Sequence, residues 1–237
     1  MILSAVTRWM RKCIYVVDKT VLSLKLFLLR NVGGIHQYQA DPFNTRRENI
    51  SGRHCGDRFL EFNSRIPEGI ATSVLDIGCN EGYFTFKMAE RGGVCIGIDW
   101  GVDQINNAKD LAKHYNVSNA LFARMDINEK TIPGLPEVDL VICMSIFHHW
   151  ARKDGEAAAR SILQKLCAKA TRYMVFETGQ PDEIKADWAD SMSFMGSNHE
   201  QYVNSMLKEF GFKSVTSLGL FATTVSDEPR ILYFAEK

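Results

Sequence analysis

The stretch Val74-Leu75-Asp76-Ile77-Gly78-Cys79-Asn80-Glu81-Gly82-Tyr83-Phe84-Thr85 decides the fold. A short apolar run ends in a glycine-bearing loop, and the loop opens directly into a helical pattern. In an α/β sheet such a turn sits at the carboxyl end of a strand, where backbone N–H groups and a helix N-terminus make a nucleotide site. Gly78 and Gly82 mark places where the backbone needs positive φ or close approach to a ligand. Asn80 occupies a left-handed turn position at less cost than most other side chains.

Outward from this loop the chain alternates strand and helix patterns. The first strand is expected at about 73–77, with a helix over 82–91 that Gly92-Gly93 ends. A second apolar run, 94–98, closes on Asp99-Trp100. Asp99 follows Asp76 by 23 residues, near the spacing at which a carboxylate meets a ribose diol. Residues 102–115 carry the helical stripe Ile105, Ala108, Leu111 and Ala112. A third strand at about 120–124 ends in Met125-Asp126-Ile127. The longest buried-looking strand, 138–145, runs into Ile146-Phe147-His148-His149-Trp150 and so brings two imidazoles to the sheet's carboxyl edge. A helix over 155–167 and a strand over 172–177 follow, and Glu177 ends the latter. Residues 180–198 hold Trp188, Met192, Phe194 and Met195 without a clean period, which suggests a mobile insertion on the substrate side. A helix over 199–210, capped by Asn198, precedes an antiparallel pair at 213–218 and 230–235.

Asp76, Gly78, Asn80 and Gly82 resemble motif I of the class I S-adenosylmethionine-dependent methyltransferases, with Asn80 in the place of the middle glycine. The Gly-Cys-Asn run is similar to that of branches that methylate phosphate or glycan ends and RNA ends. The resemblance, over about residues 70–237, implies a Rossmann-like α/β fold with a seven-stranded sheet of order 3-2-1-4-5-7-6. It also implies S-adenosylmethionine as cofactor, bound by Asp76, Gly78, Cys79, Asn80, Gly82, Asp99 and Trp100. Asp126 would accept from the adenine amine with Ile127 or Met125 against the ring. Met144 and Arg53 complete the expected cofactor set, with Arg53 in a connector where one arginine could meet the methionine carboxylate. A nicotinamide dehydrogenase would explain the glycine loop and Asp99 but not Asp126, and the Gly-x-Gly-x-x-Gly fingerprint is absent. For a neutral hydroxyl acceptor a base is wanted, with His148 first, then His149 or Glu177. A phosphate or carboxylate acceptor would arrive ionised and need none.

The 237 residues suit one α/β domain with an extension, divided as a basic amphipathic helix over 1–30, a connector and cap over 31–69, and the methyltransferase-like domain over 70–237. With 46% apolar and 24% charged residues the composition is that of a folded chain. The net charge of zero is a weak argument against a protein that coats nucleic acid. Six cysteines without a Cys-x-x-Cys pair indicate reduced core thiols, no metal site and a cytoplasmic setting. Residues 1–30 carry six basic side chains against Asp18, a net of +5, so the remainder is net −5. Asp18, Lys19 and Lys25 interrupt the apolar run before it could span a bilayer. Two roles remain open for this segment, a peripheral helix on an anionic membrane surface and a cap packed on the protein or a partner. The connector carries Arg46, Arg47, Arg53, His54 and Arg58, whose guanidinium forks match carboxylate or phosphate. The acceptor expected from these features is a small, glycan or lipid-linked anion, with an RNA end as rival and a catalytically idle binding subunit as the alternative from another class.

Overall fold

The computed structural model describes residues 54–69 and 72–237, together with Thr20, Val21, Leu24, Gln39, Ala40, Pro42 and Phe43. Arg53 and nearly all of the expected helix over 1–30 therefore lie outside the described residues. Seven strands form one sheet: β1 (Val74–Ile77), β2 (Cys95–Asp99), β3 (Ala120–Arg124), β4 (Val138–Met144), β5 (Ala170–Glu177), β6 (Ser214–Phe221) and β7 (Arg230–Glu236). Their order is β3-β2-β1-β4-β5-β7-β6, as expected from the sequence. The first five strands are parallel, and β7 pairs antiparallel with both β5 and β6.

Side chains alternate across this sheet into two apolar layers. Along β4, Val141 and Cys143 enter one layer while Leu140, Ile142 and Met144 enter the other. That two-sided burial is why the strand reads as a continuous apolar run. Helices α1 (Cys55–Asn63), α2 (Tyr83–Ala89) and α3 (Val102–Tyr115) cover one face. Helices α4 (Phe147–Lys169) and α5 (His199–Glu209) cover the other. In α3 the buried positions Ile105, Ala108 and Leu111 share one face, and Asn116 stops the helix in a left-handed conformation. Asn198 caps α5 as expected, its side chain accepting from the Gln201 N–H at 3.0 Å.

Two expectations are corrected. Helix α4 begins at Phe147 rather than at Gly155, so His148 and His149 stand on its first turn. Gly155 (φ 83°, ψ 171°) is a non-helical break inside the helix, which is why the pattern looks as if it starts there. The 180–198 segment, which shows no clean period in the sequence, is packed. Met192 and Met195 enter the core below α4, and residues 190–195 form a short 3₁₀ turn.

A buried chain of charges ties this segment to the rest. Arg58 Nε on α1 donates to Glu177 Oε2 at 2.7 Å, and Ser145 Oγ donates to Glu177 Oε1 at 2.8 Å. Arg230 Nη1 donates to Ser145 Oγ at 3.0 Å, while its Nε and Nη2 donate to the two oxygens of Glu183 at 2.8 and 2.7 Å. All five side chains are buried. Removing one charge strands another, so Arg58→Met should destabilise the protein by about 3–5 kcal/mol in urea unfolding. Adding Glu177→Gln should recover part of that loss. A single variant as stable as the native chain would show that the pair does not hold α1 to the sheet.

Candidate active site

The carboxyl ends of β1, β2 and β4 frame a cleft of about 380 Å³. Its lining includes Asp76, Gly78, Asn80, Asp99, Trp100 and Met144, all singled out from the sequence. A neighbouring cleft of about 820 Å³, lined by Asp126, Ile127, Met125 and Arg124, shares Trp100, Ile146 and His149 with the first. The two make one groove across the sheet edge, with Trp100, 74% exposed, standing between them.

Local backbone chemistry builds this groove. Gly78 has φ 72°, and a Cβ there would collide with the side chain of Ile146 at the start of α4. The glycine thus lets the loop after β1 approach the β4–α4 junction. Asn80 adopts the left-handed conformation anticipated for it, at φ 52°. Gly82 also has positive φ and enters α2, packed against the rings of Phe122 and Phe86. Cys79 turns its thiol inward, into the same apolar layer as Phe122, and contributes only backbone to the loop's outer side.

Asp99 joins two loops. Its Oδ2 accepts from the Asn80 N–H at 2.9 Å and its Oδ1 from the Gly101 N–H at 2.8 Å. Each carboxylate oxygen keeps a lone pair after these bonds, so the half-buried group suits a vicinal diol, which only donates in such a contact. Asp126 is exposed at the far end, its carboxylate accepting from Asn128 Nδ2 at 3.3 Å and its carbonyl from Thr131 Oγ1 at 2.9 Å. The acceptors at Asp99 and Asp126 are of the kind that a nucleoside's hydroxyl and amine donors need.

His148, Trp188, Val225 and Arg230 line the first cleft alone, and His149 lines both. His148 is buried, and its Nδ1 accepts from the Gly179 N–H at 2.9 Å, so the proton of the neutral ring lies on Nε2. His149 is accessible at its rim. Its pKa is held below the ordinary histidine value, first by partial desolvation and then by the Arg230 charge, against a smaller upward pull from Asp187. Glu177 is fully buried behind the groove and does not line it. Gln39, Ser145, Trp188 and Arg230 line the cleft but carry no local motif. Ser145 stands at the end of β4 with φ 60°.

Asp76, beneath the loop, is 2% exposed and accepts from Thr85 Oγ1 at 2.6 Å. Burial pushes its carboxyl up to about 7, outweighing the Thr85 hydrogen bonds, and Asp99 adds a smaller push in the same direction. The folded state therefore holds this proton more tightly than the unfolded chain. The group's contribution to stability should fall as pH rises from the ordinary 3.8 to about 7, and stay level above that. Asp76→Asn keeps an acceptor for Thr85 without titrating, so its melting temperature should vary less with pH across that window. Parallel profiles for the two proteins would mean that Asp76 ionises normally.

Residues 70–215, more than half of the chain, match the family described as a methyltransferase domain. The O-antigen chain terminator bifunctional methyltransferase/kinase WbdD of Escherichia coli is 28% identical over 167 residues, which is 70% of this chain and 22% of that protein. A ubiquinone biosynthesis O-methyltransferase of Acinetobacter baylyi is 33% identical over 76 residues, 32% of each chain. This chain thus spans about a fifth of the length of the first of these relatives and a third of the second. A co-crystal structure of WbdD with a kinase inhibitor superposes with a TM-score of 0.70 at 25% identity, covering 88% of this chain and 46% of that one. The magnesium protoporphyrin IX methyltransferase of Synechocystis PCC 6803 with bound S-adenosylhomocysteine shares the fold, with a TM-score of 0.61 at 17% identity over 93% of this chain and 99% of that one. The sheet order and the family match agree: the chain belongs to the class I S-adenosylmethionine-dependent methyltransferases.

Proposed function

We propose that this chain methylates an oxygen of a small, glycan or lipid-linked anionic acceptor by direct displacement. The observation that carries the reading is the continuity of the groove. One cleft reaches Asp126 and Ile127, the other holds Asp99, Gly78, His148, Trp188 and Arg230, and Trp100, Ile146 and His149 line both. Bound S-adenosylmethionine supplies a methyl group on a good leaving group, so positioning contributes most of the acceleration. Asp99 holds the ribose, and Asp126 and Ile127 hold the adenine. The Gly78–Gly82 loop lies against the ligand's middle, above Asp76 and the buried Cys79 thiol, and Met144 lines the reacting end. One relative is named as an O-methyltransferase, which favours an oxygen acceptor, and the other as an O-antigen chain terminator, which favours a glycan-linked one.

Among the candidate bases the geometry favours His149. Its lowered pKa keeps the ring neutral near pH 7, and its rim is open to the groove. His148 already spends its Nδ1 lone pair on Gly179, which suits an orienting role with Nε2–H as donor. Glu177 has both oxygens engaged by Arg58 and Ser145 and serves best as the anchor of the cleft wall.

Incubation with labelled S-adenosylmethionine and fractionated lipid, glycan and RNA pools tests the acceptor. Label is expected in the lipid or glycan fractions, and label in RNA alone would overturn that choice. Cofactor binding without any product would instead support the idle-subunit alternative. With a hydroxyl acceptor, His149→Ala should lower kcat by roughly 10²-fold or more. The native rate should then fall as pH drops through the lowered His149 pKa. A flat profile with full activity in the variant would remove the base and point to an acceptor that arrives ionised.

The segment over 1–30 is proposed as a peripheral contact with an anionic membrane surface. Val21 and Leu24, three apart on a helix, are 62% and 58% exposed. No helix among the described residues is long and apolar enough to cross a membrane. The full chain should pellet with anionic vesicles at low salt, and a chain beginning near residue 31 should stay folded and lose that association. Full-length protein that never pellets would end the reading.

A further inference from the structure

We infer that Arg230 is an oxyanion site in the first cleft, taking the phosphate or carboxylate of the acceptor on the guanidinium edge that Glu183 leaves open. The inference rests on the reading of the acceptor as an anion and names the residue that recognises it.

Arg230 opens β7 and is 1% exposed, yet it lines the first cleft beside Ser145 and Trp188. Among the described residues that line this cleft it is the one lysine or arginine. Its partners fix which way the guanidinium faces. Nε and Nη2 donate to the two oxygens of Glu183, and Glu183 does not line the cleft. That edge is therefore turned into the wall. Nη1 belongs to the other side of the plane and donates to Ser145 Oγ at 3.0 Å. The Trp188 ring lies 5.1 Å from the guanidinium carbon, and both Ser145 and Trp188 do line the cleft.

Donor arithmetic follows from that orientation. A guanidinium carries five N–H groups and accepts nothing. Glu183 and Ser145 take three of them, which leaves one on Nη1 and one on Nη2. These sit on adjacent nitrogens of one planar fork, the geometry that a carboxylate or phosphate accepts.

The charge of Glu183 does not cancel this. It sits behind the guanidinium, so the pair is a dipole with its positive end toward the cleft. Glu177, the other carboxylate of the buried chain, also stays out of the lining. Trp188 Nε1 adds a buried donor without a partner among the described residues. Well-packed apolar side chains would hold such a wall at equal or better stability, but only a guanidinium presents a fork to the cleft. Three hydrogen bonds and a ring already hold the fork still, so a ligand loses little affinity to ordering it.

Inorganic phosphate and acetate are the probes, offered to the full chain with S-adenosylhomocysteine present and followed by phosphorus NMR and calorimetry. Arg230→Lys keeps the charge without the fork. Arg230→Met combined with Glu183→Gln removes both charges, so neither is stranded. Affinity for S-adenosylmethionine reports whether each variant is folded. Arg230→Lys should weaken the preferred anion about tenfold, and the double variant should weaken it further. The anion that binds more tightly identifies the acceptor group as phosphate or carboxylate. A double variant that binds S-adenosylmethionine and holds the anion as the native chain does would overturn the inference. So would a native chain that binds S-adenosylmethionine but neither anion. Should the double variant not fold, unchanged anion affinity in Arg230→Lys overturns it instead. Labelled product separates the inference from the reading beneath it. Equal methylation of an anionic acceptor by native chain and folded variant keeps the reading and removes the role of Arg230. A neutral acceptor, with anion binding lost in the variants, leaves the oxyanion site and removes the reading.

Discussion

Two arginines and two carboxylates, sealed from water, hold the catalytic end of this protein in one arrangement. Arg58 comes from the helix before the sheet, Glu177 from the end of β5, Arg230 from the start of β7, and Glu183 from the segment after β5. Ser145 passes the connection between the halves. Each charge is tolerable inside only because its partner is also inside, so partial assembly is penalised. Four pieces of chain, at Arg58, Ser145, Glu177 with Glu183, and Arg230, must therefore arrive together. The Arg230 guanidinium also lies over the Trp188 ring at 5.1 Å, which extends the same constraint to the groove wall.

The nucleotide end is held differently, by backbone rather than by ion pairs. Asp99 receives one N–H from the loop after β1 and one from the turn after β2. Glu81 in the first loop accepts in turn from Asn107 on α3 at 2.9 Å. The result is a shallow rim whose geometry follows from parallel strands ending side by side, and whose ligand-facing oxygens stay partly solvated. A rigid, dry end and a solvated end suit a reaction in which one substrate is recognised by a fixed frame and another must be steered.

Much of the cleft at the ends of β1 and β2 was legible in the chain because its determinants are local. Asp76 sits within one apolar run and Asp99 closes the next, so the strand pattern fixes where they emerge. Gly78 and Asn80 likewise announce themselves by the backbone angles that they permit. The other end was not legible, for a physical reason. Ser145 and Arg230 are 85 residues apart, Arg58 and Glu177 are 119 apart, and no periodicity links such pairs. Glu177 looked like a strand-end acid open to either role, and only its pairing with Arg58 reveals a buried ion. The packing of Trp188, Met192 and Met195 was hidden similarly, since a 3₁₀ turn leaves neither a 3.6 nor a 2 period.

Gly155 divides α4 into two stretches that do not share a helical phase. The first carries Phe147, His148, His149 and Trp150, and the second carries the buried stripe Ala159, Ile162, Leu163 and Leu166. In an unbroken helix the angular position of the histidines would be dictated by that stripe, at 100° per residue. The left-handed glycine erases the relation. A Cβ at Gly155 would meet nothing within 4 Å, so its backbone angles alone, not crowding, call for glycine. Changes along the second stripe thus need not rotate the first turn, which Phe147 and Trp150 fix in the core on their own.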